Sequence, residues 1–119
     1  MARTVLVVDD HAGFRTRVRE MLELIGYDVV GEAADGASAV DAARRLGPDL
    51  VLLDVRLPDM NGFDVAAEIL ALTSARVIMT SSHDIAAFRT RLRTTAVLGF
   101  IAKHDLSGRS LVDLVGIAP

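Results

Sequence analysis

Five short apolar runs, each stopped by a polar or ionisable residue, alternate with segments whose apolar residues recur at helical spacing. No other feature of the 119-residue chain restricts its fold as much. Thr4-Val5-Leu6-Val7-Val8 is rich in β-branched residues and ends on Asp9-Asp10. Such a run suits a strand buried on both faces, as in a parallel sheet covered by helices. Phe14, Val18, Met21, Leu22 and Ile25 then fall at helical spacing among arginines and glutamates, up to Gly26. A strand over 28–33, an Ala-rich helix over 37–46 closed by Gly47-Pro48, and a strand over 50–53 ending on Asp54 follow. Next come a helix over 62–72, a strand over 76–80, a helix over 85–94 with Ile85, Phe88 and Leu92 in register, and a strand over 98–102. Ser107, placed as an N-cap, opens a last helix carrying Leu111, Leu114 and Val115. Alternation at this pitch predicts an α/β fold, a doubly wound parallel sheet with right-handed crossovers and helices on both faces.

Composition narrows the class of function. The length fits one domain over 1–119, and the chain reaches Pro119 soon after its last helix, so no output domain is expected within it. Apolar residues make up 51% and charged residues 24%, the balance of a packed globular protein. Without cysteine, disulfides, thiolate zinc sites and thiol nucleophiles are excluded together. Sixteen acidic against thirteen basic side chains leave a net charge of −3, and aromatic residues are 4%. Direct nucleic-acid binding is therefore not expected, since it favours a basic excess or aromatic stacking platforms. No apolar run approaches the roughly 20 residues that span a bilayer, and Asp9 and Asp10 interrupt any signal-peptide pattern. A cytoplasmic location is the expectation.

In an open parallel sheet, ligands bind beyond the carboxyl ends of the strands. There the chain places Asp9-Asp10, Asp54, Ser81-Ser82 and Lys103. Any one aspartate after a strand is an ordinary turn residue; an acidic pair, a lone Asp, a hydroxyl and a Lys together on one edge point to a site. Carboxylates about 4 Å apart repel by several kcal/mol at a surface-like dielectric, so protons or a cation must relieve them. An all-oxygen set suits a hard divalent ion, and Mg²⁺ is the natural choice. With Mg²⁺ and Lys103 in place the formal charge of the three carboxylates returns to zero, and a phosphoryl group can approach. Asp54 is the best nucleophile because its strand is central, with Asp9 and Asp10 holding the metal.

The residues then become recognisable. The chain resembles the receiver domain of bacterial two-component response regulators over essentially its whole length. The resemblance is carried by Val5-Leu6-Val7-Val8-Asp9-Asp10-His11, by Pro48-Asp49-Leu50-Val51-Leu52-Leu53-Asp54 through Pro58-Asp59-Met60-Asn61-Gly62, by Val77-Ile78-Met79-Thr80-Ser81-Ser82-His83-Asp84, and by Gly99-Phe100-Ile101-Ala102-Lys103. It implies the flavodoxin-like receiver fold, a five-stranded sheet of order 2-1-3-4-5. It implies Asp54 as phosphoacceptor from a sensor histidine kinase or phosphotransfer protein. Mg²⁺ would be held by Asp10, Asp54 and the Arg56 carbonyl, with Asp9 acting through water. Lys103 would pair with phosphoryl oxygens, Ser81 would be the switch hydroxyl and Phe100 the switch aromatic. Pro58 and Gly62 would shape the loop after Asp54. The chain would catalyse its own phosphorylation and slow hydrolysis without turning over an external substrate. It would control a downstream protein through the face formed by its fourth helix, fifth strand and fifth helix, with phosphorylation-dependent homodimers an expected form.

Two departures from the family pattern stand out. His104 follows Lys103 where many receivers have a proline after a cis bond; without proline a trans bond is expected. Ala96-Val97 stands where a Gly-Ala pair is usual; Gly normally supplies the left-handed turn that ends the fourth helix, so this connection is expected to be shaped differently. His11 and His83 are expected in solvent-facing loops, His83 and Arg56 tuning phosphoryl lifetime. Arg89, Arg91 and Arg93 read as a solvated face or a partner contact. Other functions fit less well. A flavin phosphate would be repelled by Asp9-Asp10-His11, and an aspartyl phosphohydrolase needs a second acid two residues after its nucleophile, where this chain has Arg56. The remaining alternative is a receiver-like interaction module that works without phosphorylation.

Overall fold

The computed structural model describes residues 3–83 and 85–116, the side chains of Ile85 and Ala87 excepted. The strands are β1 (Thr4–Val8), β2 (Asp28–Ala33), β3 (Leu50–Asp54), β4 (Arg76–Ser81) and β5 (Gly99–Ala102). The helices are α1 (Ala12–Leu24), α2 (Gly36–Leu46), α3 (Gly62–Leu72), α4 (Arg89–Thr94) and α5 (Gly108–Val115). All strand pairs are parallel, in the order β2-β1-β3-β4-β5. This is the order and class expected.

The unbroken apolar runs are strands because they are buried on both faces. Leu6 and Val8, Val51 and Leu53, and Val77 and Met79 face one core with Phe63, Val65, Ala66 and Ile69 of α3. Val5 and Val7, Leu50 and Leu52, and Ile78 face the other core with Val18, Leu22, Leu111 and Val115. The period of two in each strand thus feeds two apolar layers, and no polar alternation is left to read.

Local chemistry sets the helix ends. Asp35 caps α2 by accepting from Ser38 N–H, Asn61 caps α3 from Phe63 N–H, and Ser107 with Ser110 forms a capping box on α5. Gly47 and Gly116 end α2 and α5 in left-handed geometry. Boundaries move by a residue or two from expectation: α1 and α2 begin earlier, β4 reaches Ser81, and β5 starts at Gly99.

The fourth helix departs most. A 3₁₀ turn over Ile85–Phe88 replaces its first part, leaving α4 six residues long. Phe88 offers no side-chain cap and none of the described α4 residues is buried. Thr94 and Thr95 hydroxyls donate back to the Arg91 carbonyl at 3.2 and 2.8 Å, which competes with helix continuation. Phe88 and Leu92 do pack on the core as expected; the inward placement expected of Ile85, like Asp84, lies outside the described residues. Thr95 leaves α4 extended, and among the described residues no non-glycine has positive φ and no peptide is cis. No helix among them is long and apolar enough to cross a membrane.

At the amino-terminal edge of the sheet, Asp49 Oδ2 accepts from Thr4 N–H and Oγ1 at 2.9 and 3.1 Å. These bonds hold the Asp49 carboxyl below its ordinary value. A depressed carboxyl contributes stability that is present above the unfolded value, about 3.9, and is lost as pH falls through the folded value. Asp49→Asn is therefore expected to cost about 1 kcal/mol or less at pH 7, the site being exposed. Urea melts from pH 7 to pH 3 check this: the gap to wild type should close below pH ~4.

Candidate phosphoryl-transfer site

The carboxyl end of the sheet gathers the polar strand ends. Asp9 follows β1 and is fully buried; its N–H continues the ladder onto the Ala33 carbonyl, and its Oδ1 accepts from His11 N–H at 2.9 Å, turning the chain into α1. Asp54 closes β3 and is 5% exposed. Its Oδ1 accepts from Arg56 N–H at 3.2 Å. Lys103 follows β5 and reaches between the two acids: its Nζ lies 2.6 Å from Asp9 Oδ2 and 3.3 Å from Asp54 Oδ2. The Asp9 contact is a close ion pair, and this buried oxygen has no other hydrogen-bonding partner.

Two acids and one ammonium do not balance at this depth. Burial first, and then the Asp9 carboxylate, push the Asp54 carboxyl above its ordinary value against the opposing pull of Lys103 and Arg56 N–H. For Lys103, burial alone would lower the ammonium, but Asp9 and Asp54 outweigh it and hold its pKa above the usual value. The pocket carries excess negative charge at its floor and keeps its one lysine charged.

Above that floor lies a cleft of about 160 Å³ lined by Asp10, His11, Asp54, Arg56, Ser81, Ser82, His83 and Lys103. Ser81 ends β4, is buried, and its Oγ accepts from His83 N–H at 3.0 Å. Asp10 and His11 are exposed, and His11 Nδ1 stands 3.2 Å from Asp9 Oδ1 and 2.9 Å from Asp10 Oδ1. Asp9, Asp10 and His11 each offer a ligand atom, all within 4.8 Å of one another; Asp54 is outside that group, across Lys103. His83 is exposed at the rim, as expected, and Arg56 is exposed there too.

The loop after Asp54 is built tightly. Gly62 N–H donates to the Val55 carbonyl at 2.7 Å, and Arg56 pairs with Asn61 across the loop. Asp59 accepts from Gly36 and Ala37 N–H at 2.7 and 3.0 Å, tying the loop to the start of α2. Pro58 lies exposed at its turn.

Phe100 is half-buried on β5, its ring 6.4 Å from Phe88, which is 6.0 Å from Phe63. The row ties β5 to α3 through the 3₁₀ turn. Arg91 stands over Phe63 at 5.1 Å and pairs with Asp64 at 3.1 Å, so it is not a purely solvated charge.

Three groups at the site were not singled out in the sequence. Phe14 lies under Lys103, its ring centroid 4.5 Å from Nζ; at helical spacing it reads as core. Arg15 donates to the Asp9 carbonyl at 2.6 Å and to Glu32 at 3.0 Å, and Arg19 also donates to Glu32. That clamp joins α1 to β2 across 17 residues of sequence, and charge pattern alone carries no signal for it.

Comparison with known proteins agrees with this picture. A family model described as the response regulator receiver domain matches residues 5–115. The chain is 36% identical over 101 residues to the transcriptional regulatory protein PdtaR of Mycobacterium tuberculosis, which covers 85% of this chain and 49% of PdtaR. It is 39% identical over 83 residues to the chemotaxis protein CheY of Thermotoga maritima, 69% of each chain. The crystal structure of the response regulator domain of Thermotoga maritima CheB superposes with a TM-score of 0.87 at 27% identity, covering 99% of this chain and 97% of that one. The chain spans about half the length of the first curated relatives it matches.

Proposed function

The chain belongs to the response regulator receiver domain family, and from that premise we propose that it is a Mg²⁺-dependent switch phosphorylated on Asp54. The observation that carries this reading is the Lys103 ammonium shared between the buried Asp9 and Asp54 carboxylates beneath an open cleft. The donor set fits the ion: Asp9 keeps a buried oxygen whose one close partner is Lys103, Asp10 stands exposed nearby, and burial and Asp9 hold the Asp54 carboxyl above its ordinary value. Asp9, Asp10, Asp54 and the Arg56 carbonyl would hold Mg²⁺, which when bound neutralises the acids and draws charge from the phosphoryl oxygens.

This chain's residues do the rest. An Asp54 carboxylate oxygen attacks the phosphorus of a phosphohistidine on a sensor kinase or phosphotransfer protein. The O–P bond forms as the N–P bond breaks, and the imidazole leaves with a proton from solvent. Lys103 Nζ turns from Asp54 to a phosphoryl oxygen, and Arg56 N–H is already aimed at the Asp54 carboxylate. The Ser81 hydroxyl, now accepting from His83 N–H, donates to the phosphoryl group instead, which draws the end of β4 inward. The Phe63–Phe88–Phe100 row runs from α3 to β5, and a downstream protein at the face of α4, β5 and α5 would sense the change through it. Water later attacks the acyl phosphate, with His83 and Arg56 at the rim controlling its access.

Intact mass after incubation with acetyl phosphate tests the chemistry. A gain of about 80 Da with Mg²⁺, absent with chelator and labile as an acyl phosphate, is expected. If neither acetyl phosphate nor a phosphorylated histidine kinase labels the chain, the interaction module that works without phosphorylation becomes the better reading.

A further inference from the structure

We propose that Phe14 is a positioning residue for phosphoryl transfer, holding the Lys103 ammonium at the mouth of the cleft; the inference rests on the phosphoryl-transfer reading. Phe14 heads the apolar stripe of α1, one turn before the buried Val18, and its own side chain is half-buried. Its ring centroid lies 4.5 Å from Nζ, the same atom that reaches Asp9 and Asp54. It also lines, with Lys103, a neighbouring surface cleft of about 410 Å³ together with Arg17, Val18, Met21 and His104. The ring thus flanks the ammonium where Lys103 borders that solvent space.

An aromatic face attracts a cation without accepting its N–H groups in the way a carboxylate or water does. The Lys103 protons therefore remain directed to Asp9, Asp54 and whatever sits on Asp54. Asp9 is the nearer acid, so the ammonium must shift toward the phosphoryl group during transfer; a back wall without hydrogen-bonding atoms leaves that movement open while keeping Nζ within reach. Asp9 and Asp54 hold the charge, and the Phe14 ring adds an apolar contact to an ammonium that is still partly exposed.

The test compares Phe14→Leu and Phe14→Tyr in Mg²⁺-dependent acetyl phosphate labelling, with the Lys103 ε-methylene shifts read by NMR. Leucine keeps the apolar bulk and loses the π face; tyrosine keeps both. Leucine is expected to slow labelling about threefold, the scale of a part-exposed cation–π contact, and tyrosine to restore it. The upfield ring shift at the Lys103 ε-methylene should vanish in Phe14→Leu and persist in Phe14→Tyr. Wild-type rates in the leucine variant, or equal slowing in both, overturn the positioning role. A wild-type chain that takes no phosphoryl group overturns the phosphoryl-transfer reading and this inference with it, whereas normal wild-type labelling with an indifferent Phe14 overturns this inference alone.

Discussion

Asp54→Asn is expected to abolish labelling by acetyl phosphate and by a phosphorylated histidine kinase, and to raise the stability of the metal-free protein. The first effect follows from nucleophilicity. An amide oxygen cannot form the acyl phosphate, and neither Asp9 nor Asp10 replaces it: Asp9 is fully buried against Lys103, and Asp10 sits on the exposed rim. Residual labelling at the wild-type level would mean that another side chain is the acceptor. The second effect follows from the raised carboxyl. A folded value above the unfolded one means the charged form is disfavoured by folding, so Asp54 costs nothing below about pH 4 and costs stability above it. Asparagine keeps an oxygen for Arg56 N–H and removes one charge of the buried pair. A gain of about 1 kcal/mol at pH 7, or about 4 °C in Tm, is expected. It should shrink toward pH 4 and be offset by Mg²⁺, which should stabilise wild type more than the variant. Thermal melts with and without Mg²⁺ at both pH values check the sign.

The residues of this site were legible because topology puts them there. Once β1, β3, β4 and β5 were read as parallel, Asp9, Asp10, Asp54, Ser81 and Lys103 had to emerge at one edge, whatever their side chains did next. The strands themselves were plain because burial on both faces leaves unbroken apolar runs. What the sequence could not carry was pairing across the chain. That Lys103 would lie closer to Asp9 than to Asp54, and with Phe14 behind it, depends on how α1 seats on the sheet. The fourth helix failed for a local reason. Phe88 and Leu92 have helical spacing, yet an uncapped start and hydroxyls bonding back to the Arg91 carbonyl leave only a short helix after a 3₁₀ turn. Spacing reports which residues face the core; it does not report whether the backbone between them can sustain a helix.

The same distinction separates two glycines. Gly62→Ala is expected to destabilise the protein by about 3 kcal/mol or more, at the upper end of overpacking costs. Gly62 is the first residue of α3, and a Cβ there would fall on the carbonyl oxygens of Asp54 and Val55 and within 2.7 Å of the Val55 Cα. These are backbone atoms, so no rotamer change relieves the clash. The end of β3 and the start of α3 must separate, which strains the bond from Gly62 N–H to the Val55 carbonyl and shifts Asp54, the proposed nucleophile. Labelling of Asp54 should therefore slow in any fraction that still folds. Gly13, inside α1, is the control: nothing lies within 4 Å of a Cβ built there, and Gly13→Ala should stabilise by about 0.5–1 kcal/mol through helix propensity. Urea unfolding of both variants measures the difference. A Gly62→Ala protein within 1 kcal/mol of wild type, as ~1 kcal/mol marks an ordinary substitution, would show that the loop after Asp54 yields more easily than its backbone contacts imply.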